Sequence, residues 1–473
     1  MVNRFIARFG NHISVLHSRL SIGERYDAWN KIKKGETKIV IGARSAIFAP
    51  VKNLGIIIID EEHDMSYKSD MSPKFNAKDI ARFLCEKKEA VLVLGSATPD
   101  VRTYELAKKG EVELIKLTKR ANESNLPDVE VVDLRQELAN GNKSVLSNKL
   151  YELIEENIKN KHQTILFLNR RGFSTFVMCR DCGHVLKCKN CNITLTYHLN
   201  QNKLKCHYCG YEMENVKKCP SCESVKVKYF GLGTQKLEEE IKKIFPTSTT
   251  IRMDVDTTSK KNSHEEILEK FKNENIDILI GTQMVVKGHH FPNVTLVGVI
   301  AADSSLNIED YRANENTFQI LTQVAGRAGR ENLPGKVIIQ TYNPDSFSIQ
   351  YAKFQNYDDF YDAEISVREQ LKYPPFSDII VIGVSSLSFT SAADAVKKLY
   401  EIIEKHNKNE IQLFKPLPAP INKIKNRYRF RIIIKCKFGN NIIDLLNNAM
   451  EEYDALKFKN VRTIIDVNPN SMV

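Results

Sequence analysis

The stretch Gly55-Ile56-Ile57-Ile58-Ile59-Asp60-Glu61-Glu62-His63 decides how this chain folds. A run of β-branched apolar residues, opened by Gly and closed by acid, reads as a buried strand of a parallel sheet. Such a strand delivers its last side chains to the carboxyl edge of the sheet, where α/β proteins place ligands. Two adjacent carboxylates at that edge suit a nucleoside-triphosphate site. Asp60 would hold Mg2+ through water, and Glu61 would orient or deprotonate the attacking water. A strand end with solvated acids is the alternative for an isolated match.

The residues on either side extend the pattern. Upstream, Phe5, Ile6 and Phe9 give an amphipathic helical face, and Ile13–His17 reads as a short strand. Ser21 with Glu24 three residues on predicts a capped helix through Trp29 and Ile32. Lys38–Gly42 is the next strand, and Arg44 and Ser45 beyond its end suit either a nucleic-acid phosphate or a turn cap. Downstream, Tyr67, Lys68 and Lys74, with Phe75, interleave aromatics and cations in a loop able to contact single-stranded DNA, ordinary loop packing being the other reading. Ala90–Leu94 is a further strand, running into Gly95-Ser96-Ala97-Thr98-Pro99, whose small hydroxyl residues suit a link between nucleotide state and movement.

Residues 118–146 are polar and read as an irregular linker, so the first α/β lobe spans 1–117. A second lobe follows at 147–175 and 227–345, with strands at Thr164–Leu168, Thr250–Asp254 and Ile276–Ile280 between amphipathic helices. Thr282 and Gly288, in a segment directly after a strand, can meet phosphate through hydroxyl and backbone amide. Gln323, Arg327 and Arg330 fall four and three residues apart, on one face if the segment is helical. Two guanidiniums flanked by Gly suit charge stabilisation on a γ-phosphate; a solvated basic helix end is the alternative.

Eight of the ten cysteines form four C-x-x-C pairs within 176–226: Cys179/Cys182, Cys188/Cys191, Cys206/Cys209 and Cys219/Cys222. Each pair offers two thiolates on a tight knuckle, and a tetrahedral Zn2+ takes two knuckles. Eight ligands therefore imply two closed, structural zinc sites rather than redox thiols or disulfides. Three pairings are possible. The fourteen residues between the middle knuckles, close to a zinc-ribbon hairpin, favour nesting: Cys188/Cys191 with Cys206/Cys209 inside, Cys179/Cys182 with Cys219/Cys222 outside. Cys85 and Cys436 read as apolar fillers. Residues 346–473 read as a separate α+β module after a polar helix at Tyr351–Lys372 and the boundary Tyr373-Pro374-Pro375-Phe376. Its stretch Lys423–Arg431 alternates cations with aromatics and suits either DNA or a solvated strand edge.

Composition sets the frame. The 473 residues suffice for about three domains, and 69 Lys plus Arg against 58 Asp plus Glu give a net charge of +11, compatible with a nucleic-acid partner. The apolar runs are strand-length, which excludes a transmembrane helix. The opening Met1–Phe9 is too short and too charged for a signal peptide, so a cytoplasmic protein is expected.

Taken together, Asp60–His63, Gly95–Pro99, the four knuckles, Gly281–Pro292, Gln323–Arg330, Tyr373–Phe376 and Lys415–Pro420 resemble one family along the whole chain. It is the family of the replication-restart helicase PriA, primosomal protein N′, in helicase superfamily 2. The resemblance implies two RecA-like α/β helicase lobes, the first incomplete, an inserted two-zinc cysteine-rich module and a C-terminal α+β domain. It implies ATP-driven 3′→5′ translocation and unwinding at abandoned replication forks, with primosome assembly and reloading of the replicative helicase. The implied cofactors are two structural Zn2+ and ATP with Mg2+. The implied partners are forked and single-stranded DNA, primosome proteins, the replicative helicase loader and single-stranded DNA-binding protein, around a monomer and without a membrane.

By resemblance, Asp60 and Glu61 match the Mg2+ and water-activating acids. Arg327 and Arg330 match the arginines that reach the triphosphate, and Gln323 their partner. The chain departs from the family in starting after the phosphate loop: no G-x-x-x-x-G-K-[ST] occurs in it. Weak ATP binding and low turnover are therefore expected of this chain alone. A non-enzymatic zinc- and DNA-binding primosome scaffold, or one fragment of a split helicase, is the competing expectation.

Overall fold

The computed structural model describes residues 2–17, 20–117, 126–169, 176–198, 202–230, 233–254, 257–258, 263–286, 291–329 and 334–471. The chain divides into two units, Met1–Lys109 with Asn468–Asn470, and Gly110–Val467 with Ser471–Val473.

In the first unit two parallel strand pairs are each closed by a crossover helix. Ile13–Leu16 pairs with Ile39–Gly42 through the helix Ile22–Lys34. That helix starts on a complete capping box: Ser21 Oγ accepts the Glu24 amide at 3.3 Å, and Glu24 accepts the Ser21 amide at 2.8 Å. Ile56–Asp60 pairs with Val91–Gly95 in strict parallel register, Asp60 lying beside Gly95. The expectation of a buried strand is corrected: only Ile59 is buried, while Ile56 is 53% and Ile58 67% exposed, because alternate side chains leave the face that packs against a helix. The helix between them, Ala77–Lys88, buries Ala77, Ala81 and Cys85, four residues apart and hence on one face.

The second unit is built on six parallel strands in the order 250–253, 278–281, 163–167, 294–299, 336–341, 128–133. Gln163–Phe167 and Val294–Val299 are buried at every residue, as central strands covered on both faces must be. The edge strand corrects the sequence reading. Within 118–146, expected to be an irregular linker, Asp128–Asp133 joins the sheet beside Lys336–Thr341 and leads into the helix Leu134–Ala139. Acids at three of its six positions, Asp128, Glu130 and Asp133, hid this strand, since an edge tolerates charge.

The cysteine segment leaves this lobe on an antiparallel pair, Phe176–Cys179 with Val227–Phe230, and carries a three-stranded meander over Thr196–His198, Lys203–Lys205 and Glu212–Glu214. The last part has an antiparallel sheet in which Asp378–Ser386 lies between Arg427–Cys436 and Val461–Val467. Two helices, Phe389–His406 and Asn440–Asp454, bury their apolar stripes against it. The expected polar helix over Tyr351–Lys372 is two helices, Phe347–Lys353 and Tyr357–Gln370, and the second is not polar-faced. Phe360 and Tyr361 are buried, and the charges of Glu364 and Arg368 are inside, paired with each other and with Glu315. Among the described residues no helix is long and apolar enough to cross a membrane.

Candidate functional site

The acid strand ends in a loop held by Gly95, Ser96 and Tyr67. Asp60 and Glu61 are exposed, and Glu61 takes a positive φ of 48° while its amide donates to Asp60 Oδ1 at 3.0 Å. The Glu62 amide donates to the Gly95 carbonyl at 3.0 Å, tying this loop to the Gly95–Pro99 loop. His63 Nδ1 lies 2.6 Å from Ser96 Oγ, which also accepts the Thr98 amide at 2.9 Å. Tyr67 donates its hydroxyl to the Asp60 carbonyl at 2.6 Å, and burial followed by the Asp60 charge pushes that phenol upward.

Glu62 is structural. Its carboxylate is 1% exposed and accepts Lys78 Nζ at 2.8 Å, the Asp100 amide at 2.7 Å and Thr103 Oγ1 at 3.1 Å. Burial pushes the Glu62 carboxyl up, opposed by the Lys78 ammonium. Burial alone would lower Lys78, but Asp100 and Glu62 outweigh it and raise its ammonium above the ordinary value. Sequence reading missed Lys78 because sixteen residues and a loop separate it from its partner.

Residues expected to meet DNA are placed as follows. Arg44 donates to the carbonyls of Ser66, at 2.9 Å, and of Lys68, so its guanidinium fixes the Tyr67–Asn76 loop. Asn470 Nδ2 adds donation to the Met65 carbonyl at 2.8 Å. Lys68 is buried and its backbone bridges to Asn76, a placement that suits holding the loop rather than meeting phosphate. Ser45 is exposed and Lys74 half-buried. In the second unit Thr282 is half-buried in the turn after Ile278–Gly281, and its carbonyl accepts the Val285 amide at 3.0 Å. Gln323 lies on the helix Ala313–Ala325, but that helix ends at Gly326, so Arg327 sits in a turn with its amide on the Val324 carbonyl at 3.0 Å. The one-helix-face premise is therefore corrected: two glycines stop the helix, the second, Gly329, at φ 65° and bonded to the Val294 carbonyl at 3.2 Å. Arg330 and Gly288 lie outside the described residues. Arg431, in the stretch offered for DNA, is buried and donates Nη2 to the His207 carbonyl at 2.7 Å.

The eight cysteines fall into two groups, Cys179, Cys182, Cys219 and Cys222, and Cys188, Cys191, Cys206 and Cys209, each with its sulfurs within 4.8 Å of one another. All four knuckles have the same backbone. The first cysteine of each accepts the amide four residues on, at 2.8–2.9 Å, and donates to the carbonyl five residues on, at 2.8–2.9 Å. The residue at the fourth position is left-handed every time: Gly183 at 73°, Asn192 at 54°, Gly210 at 77°, Glu223 at 57°. This turn leaves two thiols converging with no bond between them. Sulfur separations of 3.6 Å for Cys179–Cys222, 3.6 Å for Cys182–Cys219 and 3.5 Å for Cys188–Cys209 fall close to the ~3.8 Å edge of a tetrahedron with ~2.3 Å metal–sulfur bonds. The residues fit a zinc ion in each group.

Four family models match in chain order: the DEAD/DEAH box helicase over 1–107, the PriA DNA helicase Cys-rich region domain over 188–213, the helicase conserved C-terminal domain over 221–332, and the primosomal protein N C-terminal domain over 369–470. The replication restart protein PriA of Bacillus subtilis is 48% identical over 474 residues, covering 100% of this chain and 59% of that protein. The Synechocystis relative of the same name is 43% identical, over 92% of this chain and 53% of its own length. The Rickettsia felis relative is 37% identical over 100% of this chain and 72% of its own length. The chain thus spans between half and two thirds of the first two relatives. With its two helicase-type models, its paired cysteine clusters and identity running the length of these relatives' matched parts, the chain belongs to the replication restart protein PriA family.

Proposed function

We propose that this chain supplies the hydrolytic acids, the second-lobe arginine, the zinc module and the C-terminal module of a replication-restart DNA helicase. The observation that carries this reading is the lock between His63 and Ser96 at 2.6 Å. It joins the loop bearing Asp60 and Glu61 to the hydroxyl loop, so a change at the acids is passed to the neighbouring strand. Asp60 would hold Mg2+ and Glu61 the attacking water; both are exposed at the strand's carboxyl end. Gln323, Arg327 and Arg330 would contact the triphosphate from the second lobe, and Gly288 would contribute there. Bound ATP with Mg2+ would supply the free energy for 3′→5′ movement along a strand. No phosphate-cradling G-x-x-x-x-G-K-[ST] occurs among these residues, so no hydrolysis step is assigned to the chain by itself.

Zinc in both cysteine groups would contribute to folding. DNA contact is assigned to Ser45, Tyr67 and Lys74, with Arg44 and Lys68 holding their loop and Thr282 serving the second lobe. Forked DNA, primosome proteins, the helicase loader and single-stranded DNA-binding protein are the partners of this reading, in the cytoplasm and with the chain as monomer. The functional divisions of this reading are 1–117, 147–175 with 227–345, 176–226 and 346–473, with the edge strand Asp128–Asp133 and helix Leu134–Ala139 added to the second lobe.

The test measures fork binding and DNA-stimulated ATP hydrolysis on the same preparation. Tighter binding to a three-way fork than to blunt duplex, with little hydrolysis, is expected. Equal affinity for both DNAs overturns the restart role. Strong stimulated turnover that survives Glu61→Gln overturns the role given to the acid loop.

A further inference from the structure

The two cysteine groups share one knuckle but not one setting. In the inner group both knuckles are gripped from outside the insert. Tyr373, from the Pro-Pro boundary, donates its hydroxyl to the Cys191 carbonyl at 3.1 Å. On the other knuckle the His207 backbone amide and ring both meet the carboxylate of Glu309, a buried second-lobe residue that also accepts Thr196 Oγ1 at 2.8 Å. Arg431, from the C-terminal strand Arg427–Cys436, donates to the His207 carbonyl at 2.7 Å. Gly210 in the same turn lies against Leu417, which a Cβ there would meet at 3.0 Å. Tyr373 in turn stacks on Tyr311 of the second lobe, with centroids 5.0 Å apart, and carries Lys435 Nζ 3.7 Å from its ring centre. Cys188, Cys191, Cys206, Tyr208, Ile379 and Ile433 belong to one apolar cluster that runs from the insert into the C-terminal sheet.

We propose that the inner cysteine cluster is the joint fixing the C-terminal module to the second lobe, with Glu309, Arg431 and Tyr373 as the positioning residues that set how tightly it holds its metal. Groups behind the ligands of a metal site fix the ligands' geometry, and their loss typically costs 10–100-fold in affinity. Coupling of this kind is reciprocal: if docking of the module strengthens metal binding, the metal strengthens docking by the same factor. The inner metal is therefore the slow one to leave, and its departure frees the C-terminal sheet. The inference rests on the zinc reading above, and the experiment separates the two.

The zinc-loaded full chain is mixed with excess of a chromogenic chelator and zinc release is followed in time, with amide hydrogen exchange read on the same samples. Two phases of equal amplitude are expected, the slow one at least tenfold slower. Glu309→Gln should speed only the slow phase, by 10–100-fold. Tyr373→Phe, which deletes one hydroxyl and keeps the ring, should speed the same phase by about threefold to tenfold, the worth of one neutral hydrogen bond, and serves if Glu309→Gln does not fold. Loss of the second ion should remove protection from Asp378–Ser386 and Arg427–Cys436 while Gln163–Phe167 keeps it. A chain that binds no zinc overturns the zinc reading itself. Two ions leaving at one rate, a fast phase accelerated by Glu309→Gln, or C-terminal strands still protected with both ions gone overturns the joint alone.

Discussion

The outer and inner cysteine clusters have the same ligands, the same turn and nearly the same sulfur spacing, yet different surroundings. The outer one rests on the second lobe through its first knuckle: Arg135 donates to the Cys182 carbonyl at 3.4 Å, and Gly183 lies so close to the Tyr342 carbonyl that a Cβ would meet it at 2.1 Å. Its second knuckle carries an exposed Cys222, and nearby polar contacts, Asp181 with Ser224 and Lys226, stay within the insert. The inner cluster is enclosed, three of its four cysteines being buried. Identical local chemistry thus yields a rim and a joint, and only tertiary packing makes the difference.

The largest effect should come from taking one ligand from each cluster. A structural zinc site contributes on the order of 10 kcal/mol of apparent binding free energy. Cys206→Ser should therefore lower the thermal midpoint sharply and expose the C-terminal sheet to exchange, whereas Cys222→Ser should cost far less. Equal losses in differential scanning calorimetry would erase the distinction between rim and joint.

Next in size is the buried ion triad beside the joint. Arg368, 3% exposed, donates to Glu315 at 2.6 Å, to Glu364 at 2.8 Å and to the Pro374 carbonyl at 3.2 Å. Arg368→Met strands two buried carboxylates and should cost about 3–5 kcal/mol in urea denaturation. Replacing both carboxylates with Gln in the same chain should recover much of that. A single-mutant loss below ~1 kcal/mol would show that the triad does not brace the joint.

Lys78 provides a comparison away from any metal. Lys78→Met leaves Glu62 buried without its cation, and a loss of about 3 kcal/mol confined to the first unit is expected. The pH dependence has a definite sign. The folded ammonium titrates above its ordinary value of 10.5, so its contribution is complete below pH 10.5 and is lost as pH rises through the higher folded value. An alkaline limb in the wild-type stability curve that is absent from Lys78→Met is the expected signature. The smallest effect belongs to the rim. Lys226→Ala removes an exposed ion pair with Asp181 at 2.9 Å and should change stability by less than about 1 kcal/mol.

Much of this architecture could be read from the chain, and the exceptions share a cause. The acid strand, the crossover helices and the knuckles are local patterns: an apolar run with acid at its end, apolar residues every four positions, thiols two residues apart. The fold class and the grouping of the cysteines followed from these. The edge strand Asp128–Asp133 was hidden because its acids break the apolar run, and what makes it a strand is its pairing with the distant Lys336–Thr341. Arg431 and Lys68 read as surface cations because their partners, the His207 carbonyl and the tight loop to Asn76, come from contacts that composition does not encode. The same holds for Glu309 and Tyr373. A residue that acts by holding a backbone carbonyl or amide carries no motif of its own.

The pairing of the knuckles is the claim on which the rest depends, and counting ions by native mass spectrometry tests it directly. The double variant Cys182→Ser with Cys219→Ser removes two ligands from one cluster and should retain one zinc per chain. Cys182→Ser with Cys206→Ser removes one ligand from each and should retain none. The reverse outcome, none in the first and one in the second, would contradict the nested pairing and with it the separation of rim from joint.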